Sequence, residues 1–285
     1  MYTRRTSLLT AFLAMGVCAS IAAGGAPMGP PVATLGEGQW SIGGEFAHEQ
    51  MDMEAAGRVT DAISEFFWTQ EFEIENLASN MAFANLAYGV CDNWNLFVRV
   101  GAADASDDLT LPSADTGALE QQDSFDGGYG LALGVGTRAT FCRWGPWSFG
   151  GLMQVTWFKP GDSDFQIEDP FIPDETWSGD VELNYWQTQV SLAAAYETET
   201  WRVWGGPFLQ FINGDMDFDG QVTLAEETGA LSWSSDLDEA SQIGAHVGGG
   251  VSLGDQWDLW AEGQMTGDSW LIGVGFAFIP STDGL

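Results

Sequence analysis

Residues 129–141 read YGLALGVGTRATF, and this stretch decides the fold. Side chains of an extended chain alternate between two faces. Tyr129, Leu131, Leu133, Val135, Thr137, Ala139 and Phe141 share one face, and Gly130, Ala132, Gly134, Gly136, Arg138 and Thr140 share the other. A strand of a water-soluble sandwich buries its apolar face and wets a polar one. Here the second face is mostly glycine and alanine, with one arginine. Bulk on one side and glycine on the other suit a narrow barrel with its bulky face toward lipid.

The same alternation recurs outward from this segment. Ten candidate strands follow, at about 39–50, 79–90, 94–104, 128–142, 146–158, 182–197, 200–212, 242–253, 256–265 and 269–280. Most reach the roughly 9–11 residues that cross a bilayer at a tilt. Their connections alternate. CDN, RWGP, ETET and GDQ are short, whereas 51–78, 105–127, 159–181 and 213–241 are long and acidic, with a short fifth near 266–268. Short periplasmic turns and long outer loops are the rhythm of an outer-membrane barrel. The expected fold is therefore all-β, an antiparallel up-and-down transmembrane barrel of about ten strands, with eight as the alternative count. An even number returns both termini to the periplasmic side, and closure leaves no unpaired edge in lipid.

Tryptophan placement agrees. Trp40, Trp94, Trp144, Trp147, Trp201, Trp204, Trp257 and Trp260 lie near the short turns, and Trp157, Trp186 and Trp270 near the opposite strand ends. Two interfacial girdles would cluster them this way.

Composition narrows the class. The 285 residues carry a formal charge of −33 from 41 acids against eight lysines and arginines. A nucleic-acid binder needs the opposite sign. The N-terminus, MYTRRTSLLTAFLAMGVCASIAAGGA, has a basic start, an apolar stretch from Leu8 to Ala19 and small residues at Ala22, Ala23 and Ala26. It reads as a secretory signal peptide, 1–23, cleaved after Ala22 or Ala23. Residues 24–38 are expected to form a linker, 39–280 the barrel and 281–285 a short tail.

The chain resembles the small outer-membrane β-barrels of the OmpA-like and opacity-protein kind. The resemblance covers about residues 39–280 and rests on the leader, the alternating strands, the loop rhythm and the closing strand SWLIGVGFAFIP, where Trp270, Ile272, Val274, Phe276 and Phe278 alternate. It departs in the IPSTDGL that follows the last aromatic. The resemblance implies outer-membrane lipid and lipopolysaccharide as surroundings, in a Gram-negative-type cell. It also implies periplasmic chaperones and the barrel assembly machinery as partners.

Four constellations could carry function. With bulk outward, the inward set includes Glu45, Glu49, Arg99, Arg138, Arg202, His246 and Glu262. An arginine facing lipid near the midplane would cost ~2–4 kcal/mol, so these should face in and pair with carboxylates. They form either a salt-bridged plug or the lining of a small, charge-selective pore. Catalysis has little support. Ten-stranded omptin-type proteases carry an Asp-x-His pair, but Phe46 and Gly244 stand two residues before His48 and His246. His48 with Glu49 is the remaining rim pair, and an enzyme is not expected.

The loops hold most of the acids, a solvated face or a surface that gathers divalent cations against lipopolysaccharide, or that meets an extracellular ligand or protein. Within them DMDFDGQVTLAE, 215–226, has the spacing of an EF-hand loop. Its flanks are strand-like, so a helix–loop–helix is not expected. Asp215, Asp217, Asp219, the Gln221 carbonyl and Glu226 could still surround one Ca²⁺, or the stretch could be an extended acidic hairpin with no ion. Finally, Cys91 and Cys142 remain after the leader is lost and could be joined by a disulfide.

Overall fold

The computed structural model describes residues 26–61, 66–112, 119–168, 175–224, 227–239 and 242–280. They form β1 (Trp40–Asp61), β2 (Phe66–Cys91), β3 (Trp94–Pro112), β4 (Leu119–Trp144), β5 (Trp147–Lys159), β6 (Ser163–Glu168), β7 (Glu175–Glu197), β8 (Trp201–Leu224), β9 (Glu227–Glu239), β10 (Ile243–Leu253), β11 (Trp257–Met265) and β12 (Ser269–Phe278). All pairings are antiparallel, and β12 closes on β1 from Ile42↔Phe278 to Met51↔Ser269. The ring runs through β1, β2, β3, β4, β5, β7, β8, β10, β11 and β12, which are the ten expected strands.

The wall has the expected polarity. Along β4, Tyr129, Leu131, Leu133, Val135 and Phe141 are exposed, the last two at 55% and 65%, while Ala132, Arg138 and Thr140 point inward and are buried. Ile42, Phe46, Val98, Val100, Leu192, Leu209, Val247, Val274 and Phe276 extend this apolar belt around the ring. An exposed apolar surface of that extent is stable only against lipid. The chain is therefore a membrane-spanning β-barrel.

The long outer connections are not loops. β1, β2, β3, β4, β7 and β8 continue through most of what the sequence assigned to them. The reason is visible in β8. Its outward positions run Trp201, Val203, Leu209 and Phe211, then Asn213, Asp215, Asp217 and Asp219. The inward positions above the change are Ile212, Met216, Phe218 and Val222, all buried. Alternation thus continues, but the faces exchange character where lipid gives way to water: apolar outside becomes apolar inside. A search for strands with lipid-facing bulk ends at that point.

Two strands complete this outer section. β6 prolongs β5 along β7, from Ser163↔Val181 onward. β9 pairs with the outer halves of both β8 and β1, beginning at Asn213↔Asp238 and Met53↔Glu239. It stands above β10, β11 and β12, which are only 11, 9 and 10 residues long. One strand thereby replaces three, and the section narrows above the membrane. Its interior is packed with Met51, Met53, Leu77, Met81, Phe158, Leu183, Tyr185 and Leu237. Phe158 stacks on Tyr185 at 5.0 Å.

The girdle reading needs one correction. Trp40, Trp94, Trp144, Trp147, Trp201 and Trp257 do face outward near the short turns. Trp204 and Trp260 instead point inward and pack with Val32 and Ala195. Inward glycines make room for them: a Cβ on Gly248 would lie 2.4 Å from the Trp204 ring, and one on Gly275 2.4 Å from the Trp260 ring. The glycine face of the strands is therefore occupied by large neighbours, not left open.

Candidate functional site

Of the segment expected to be a linker, residues 26–35 lie inside the barrel. Residues 26–33 and Leu35 are buried, among them Ala26, Met28 and Val32. The sequence there, APMGPPVATLG, contains no charge and three prolines. Such a stretch forms neither helix nor strand, so its backbone groups must be satisfied by the wall.

They are. From the periplasmic rim inward, Thr34 and Leu35 N–H donate to Asn95 Oδ1 at 2.7 and 3.2 Å, and Asn95 Nδ2 returns a bond to Leu35 O at 3.0 Å. Ala33 N–H donates to Thr140 Oγ1 at 3.0 Å. Met28 and Gly29 N–H share the Glu262 carboxylate at 2.5 and 3.0 Å. Gly29 has φ +67°, which glycine adopts without strain and which turns its N–H onto that carboxylate. Arg99 donates to Pro27 O at 2.8 Å.

Ala26 is held by a collar of glutamines. Its N–H donates to Gln187 Oε1 at 2.6 Å, and its carbonyl accepts from Gln154 Nε2 and Gln264 Nε2, both at 3.1 Å. Gln189 ties the collar together, accepting from Gln154 and donating to Gln210 and Gln264. Gln154, Gln189 and Gln210 are paired in register on adjacent strands, so each amide can reach the next.

The expected lumen residues divide into groups. Glu45, Glu49, Arg99, Arg138, His246 and Glu262 are all buried inside the ring, and Arg202 is partly so. Arg99 pairs with Glu45 at 3.4 Å, bonds Thr156 Oγ1 at 2.8 Å and lies 5.0 Å from the Phe83 ring centre. Glu45 also accepts from Asn85 at 2.7 Å. Arg202 pairs with Asp258, a partner that sequence reading did not assign. Arg138 lies over Phe97 at 4.8 Å and lines a cavity of about 40 Å³ with Glu45, Asn95 and Asp258. That space suits a few waters. Glu262 and Glu49 serve the N-terminal segment and its collar instead: Gln187 Nε2 donates to Glu49 Oε1 at 3.5 Å. His246 packs edge-on to Phe208 at 6.3 Å, away from the ion pairs.

The remaining candidates do not assemble. His48 faces outward, bonded to Asn80 at 3.0 Å and set against Trp270, while Glu49 faces inward, so the rim pair is split across the wall. Asp215, Asp217, Asp219 and Gln221 lie on the outward face of β8, an extended strand. At about 3.3 Å per residue, Asp215 and Asp219 are ~13 Å apart and do not converge on one ion. Glu226 lies outside the described residues. Among the described residues no group of three or more His, Cys, Asp or Glu side chains is gathered closely enough for a metal. Cys91 and Cys142 are both free and exposed, so the disulfide is not formed.

What stands where the calcium loop was sought is a ladder of facing carboxylates. Asp180 opposes Asp219, Glu182 opposes Asp217, and Asp215 opposes Asp236. An open depression of about 650 Å³ runs between Asp162, Asp180, Glu182, Asp217 and Asp219. Lys159 answers part of this charge by pairing with Glu182, and that hydrogen bond, above all, raises the lysine pKa.

No family model matches the chain, and no curated relative does. Solved structures with a similar chain course include three outer-membrane proteins. OprG of Pseudomonas aeruginosa is 12% identical, over 87% of this chain and 98% of that one, at a TM-score of 0.41. The translocator domain of the autotransporter NalP of Neisseria meningitidis is 13% identical, over 86% and 89%, at 0.40. The outer-membrane protease OmpT of Escherichia coli is 10% identical, over 90% and 97%, at 0.39.

Proposed function

We propose that this is an outer-membrane barrel whose lumen is closed by its own N-terminal segment. Its role is then structural and at the cell surface, not solute passage. The observation that carries this reading is the seating of residues 26–35. Side chains from β3, β4, β5, β7 and β11 hold its backbone across the lumen. A pore lining presents its polar groups to water and solute. Here those groups are spent on a peptide of the same chain.

The outer section supplies the surface. Its acidic ladder faces outward, and like charges directly opposite on neighbouring strands repel. Divalent cations gathered along the ladder would offset that repulsion and link it to anionic lipopolysaccharide, as a screening layer rather than a coordination site. Assembly by periplasmic chaperones and the barrel insertion machinery belongs to the same reading.

Flux in proteoliposomes tests the closed state. Vesicles carrying the mature protein should exclude small sugars and amino acids as protein-free vesicles do. Rapid entry of such solutes would favour the alternative, a small charge-selective porin.

A further inference from the structure

We infer that the lumen is a peptide-binding site and that residues 26–35 sit in it as a ligand. The site takes an uncharged, proline-interrupted peptide with methionine and valine four positions apart. This rests on the plugged lumen and goes beyond it. A plug built into the wall is part of the fold, whereas a ligand can be cut free and replaced.

The wall does not need the segment in order to close. Its ladders run from strand to strand, and β12 meets β1 by direct pairing. Among the described residues, 26–35 share no backbone–backbone hydrogen bond with any strand. The first such bond along the chain is from Gly38 N–H to Gly89 O, at 2.9 Å. Every hydrogen bond described between the segment and the wall comes instead from a side chain: Asn95, Arg99, Thr140, Glu262 and the glutamines of the collar. When the peptide leaves, the ladders stay intact, and water entering the lumen meets the freed side chains.

Two pockets read side chains of the peptide. Met28, 1% exposed, packs with Phe97 of β3, Leu152 of β5 and Phe208 of β8. Val32, fully buried, packs with Ala195 of β7, Trp204 of β8 and Trp260 of β11. A charge at either position would be buried among rings and aliphatic groups. Wall glycines give the peptide its room. A Cβ on Gly150 would lie 2.9 Å from Val32 Cγ1 and 3.0 Å from Pro31 O, and one on Gly273 3.1 Å from Pro27 Cβ. Pro27, Pro30 and Pro31 have no N–H, so they require no acceptor from the wall. They also stiffen the peptide before it binds, which lowers the entropy lost on seating.

The covalent link adds local concentration to this recognition. Glu37 and Gly38, between the segment and β1, are exposed. A short link holds its ligand at an effective concentration of about millimolar. The same peptide supplied separately at that level therefore competes for the site, as does any free chain end of the same chemistry.

The test cuts the folded protein. A recognition sequence for a site-specific protease is placed between Glu37 and Gly38 of the full chain, and the purified protein is cleaved in detergent micelles. We expect the N-terminal fragment to co-elute with the barrel in equal amount. A urea wash that leaves the β-sheet circular dichroism unchanged should then remove it. A synthetic peptide of residues 26–36, acetylated at its start and fluorescent at its end, should bind in equal amount once the urea is diluted. Peptides carrying Met28→Asp or Val32→Asp should bind at least tenfold more weakly. These changes sit in the peptide, so the barrel is the same protein throughout. Loss of the fragment without rebinding would overturn the inference. So would release only when the sheet itself unfolds, or equal binding of a peptide with the same residues in scrambled order. Solute flux into vesicles of the uncut protein separates the two readings. Tight uncut vesicles, with no rebinding to the cut protein, refute the peptide site alone. Open uncut vesicles refute the plug as well.

Discussion

Glu262 on β11 holds Met28, a residue 234 positions earlier, by accepting its backbone N–H at 2.5 Å. The same carboxylate takes the Gly29 N–H at 3.0 Å. A strand near the end of the chain thus fixes the segment at its beginning, and both lie inside the wall. Bonds from backbone N–H groups to a carboxylate are worth about 1.5–3 kcal/mol each when the alternative is a buried, unmet donor. Two such bonds are lost in Glu262→Ala, which should therefore destabilise the barrel by about 3–6 kcal/mol. Denaturant unfolding in detergent micelles, followed by tryptophan fluorescence, measures it. A change below 1 kcal/mol would show that the segment is not held there.

Arg99 and Glu45 pair at 3.4 Å within the ring. Removing one member leaves a charge without its partner, at a cost of about 3–5 kcal/mol. Arg99→Met alone should be strongly destabilising, and Arg99→Met with Glu45→Met should recover much of the loss. A double-mutant cycle in which the two losses simply add would contradict the pairing.

Gly275 faces the Trp260 ring, with 2.4 Å between the ring and any added Cβ. Gly275→Ala should cost about 1–3 kcal/mol through overpacking. Combining it with Trp260→Ala removes the obstacle, so the double variant should show no further penalty from the alanine. Unfolding midpoints of the four proteins check this.

Outside the membrane, Asp217 opposes Glu182 and Asp219 opposes Asp180. Replacing Asp217 and Asp219 with asparagine should raise the unfolding temperature at low ionic strength and flatten its dependence on added Ca²⁺ or Mg²⁺. An unchanged cation response would detach the ladder from cation binding. Lys159 gives the pH side of this region. Its pKa is raised in the folded state by Glu182, so its contribution is complete below the unfolded lysine value and is lost as pH climbs through the higher folded one. The cation response should therefore steepen only in strongly alkaline solution.

Cys91 and Cys142 are exposed thiols. Both should be alkylated in the native protein without reductant. A mature mass two hydrogens short, with neither thiol reactive, would contradict this.

Much of the wall was legible because lipid imposes a strict rule. In 129–141 every large apolar side chain has one parity and every glycine the other, and the ten strands of the ring follow from that pattern repeated. The outer section was hidden by the same rule. At Asn213 the outward face turns acidic, and a reading tuned to outward bulk stops, although Met216, Phe218 and Val222 keep the period. The plug left a fainter signal. APMGPPVATLG has one hydroxyl and no charge, whereas an exposed linker would be polar. Its lack of periodicity concealed it, since a peptide bound through its backbone needs no alternation. The pairing of Arg202 with Asp258 was out of reach, because the two residues stand on strands that do not neighbour in the ring.

The central claim is that residues 26–35 close the lumen, and single-channel recording in planar bilayers tests it most directly. The mature protein should give no steady conductance, and a chain lacking residues 26–35 should give open channels of uniform size. Steady conductance from the intact protein, unchanged by the deletion, would contradict the account.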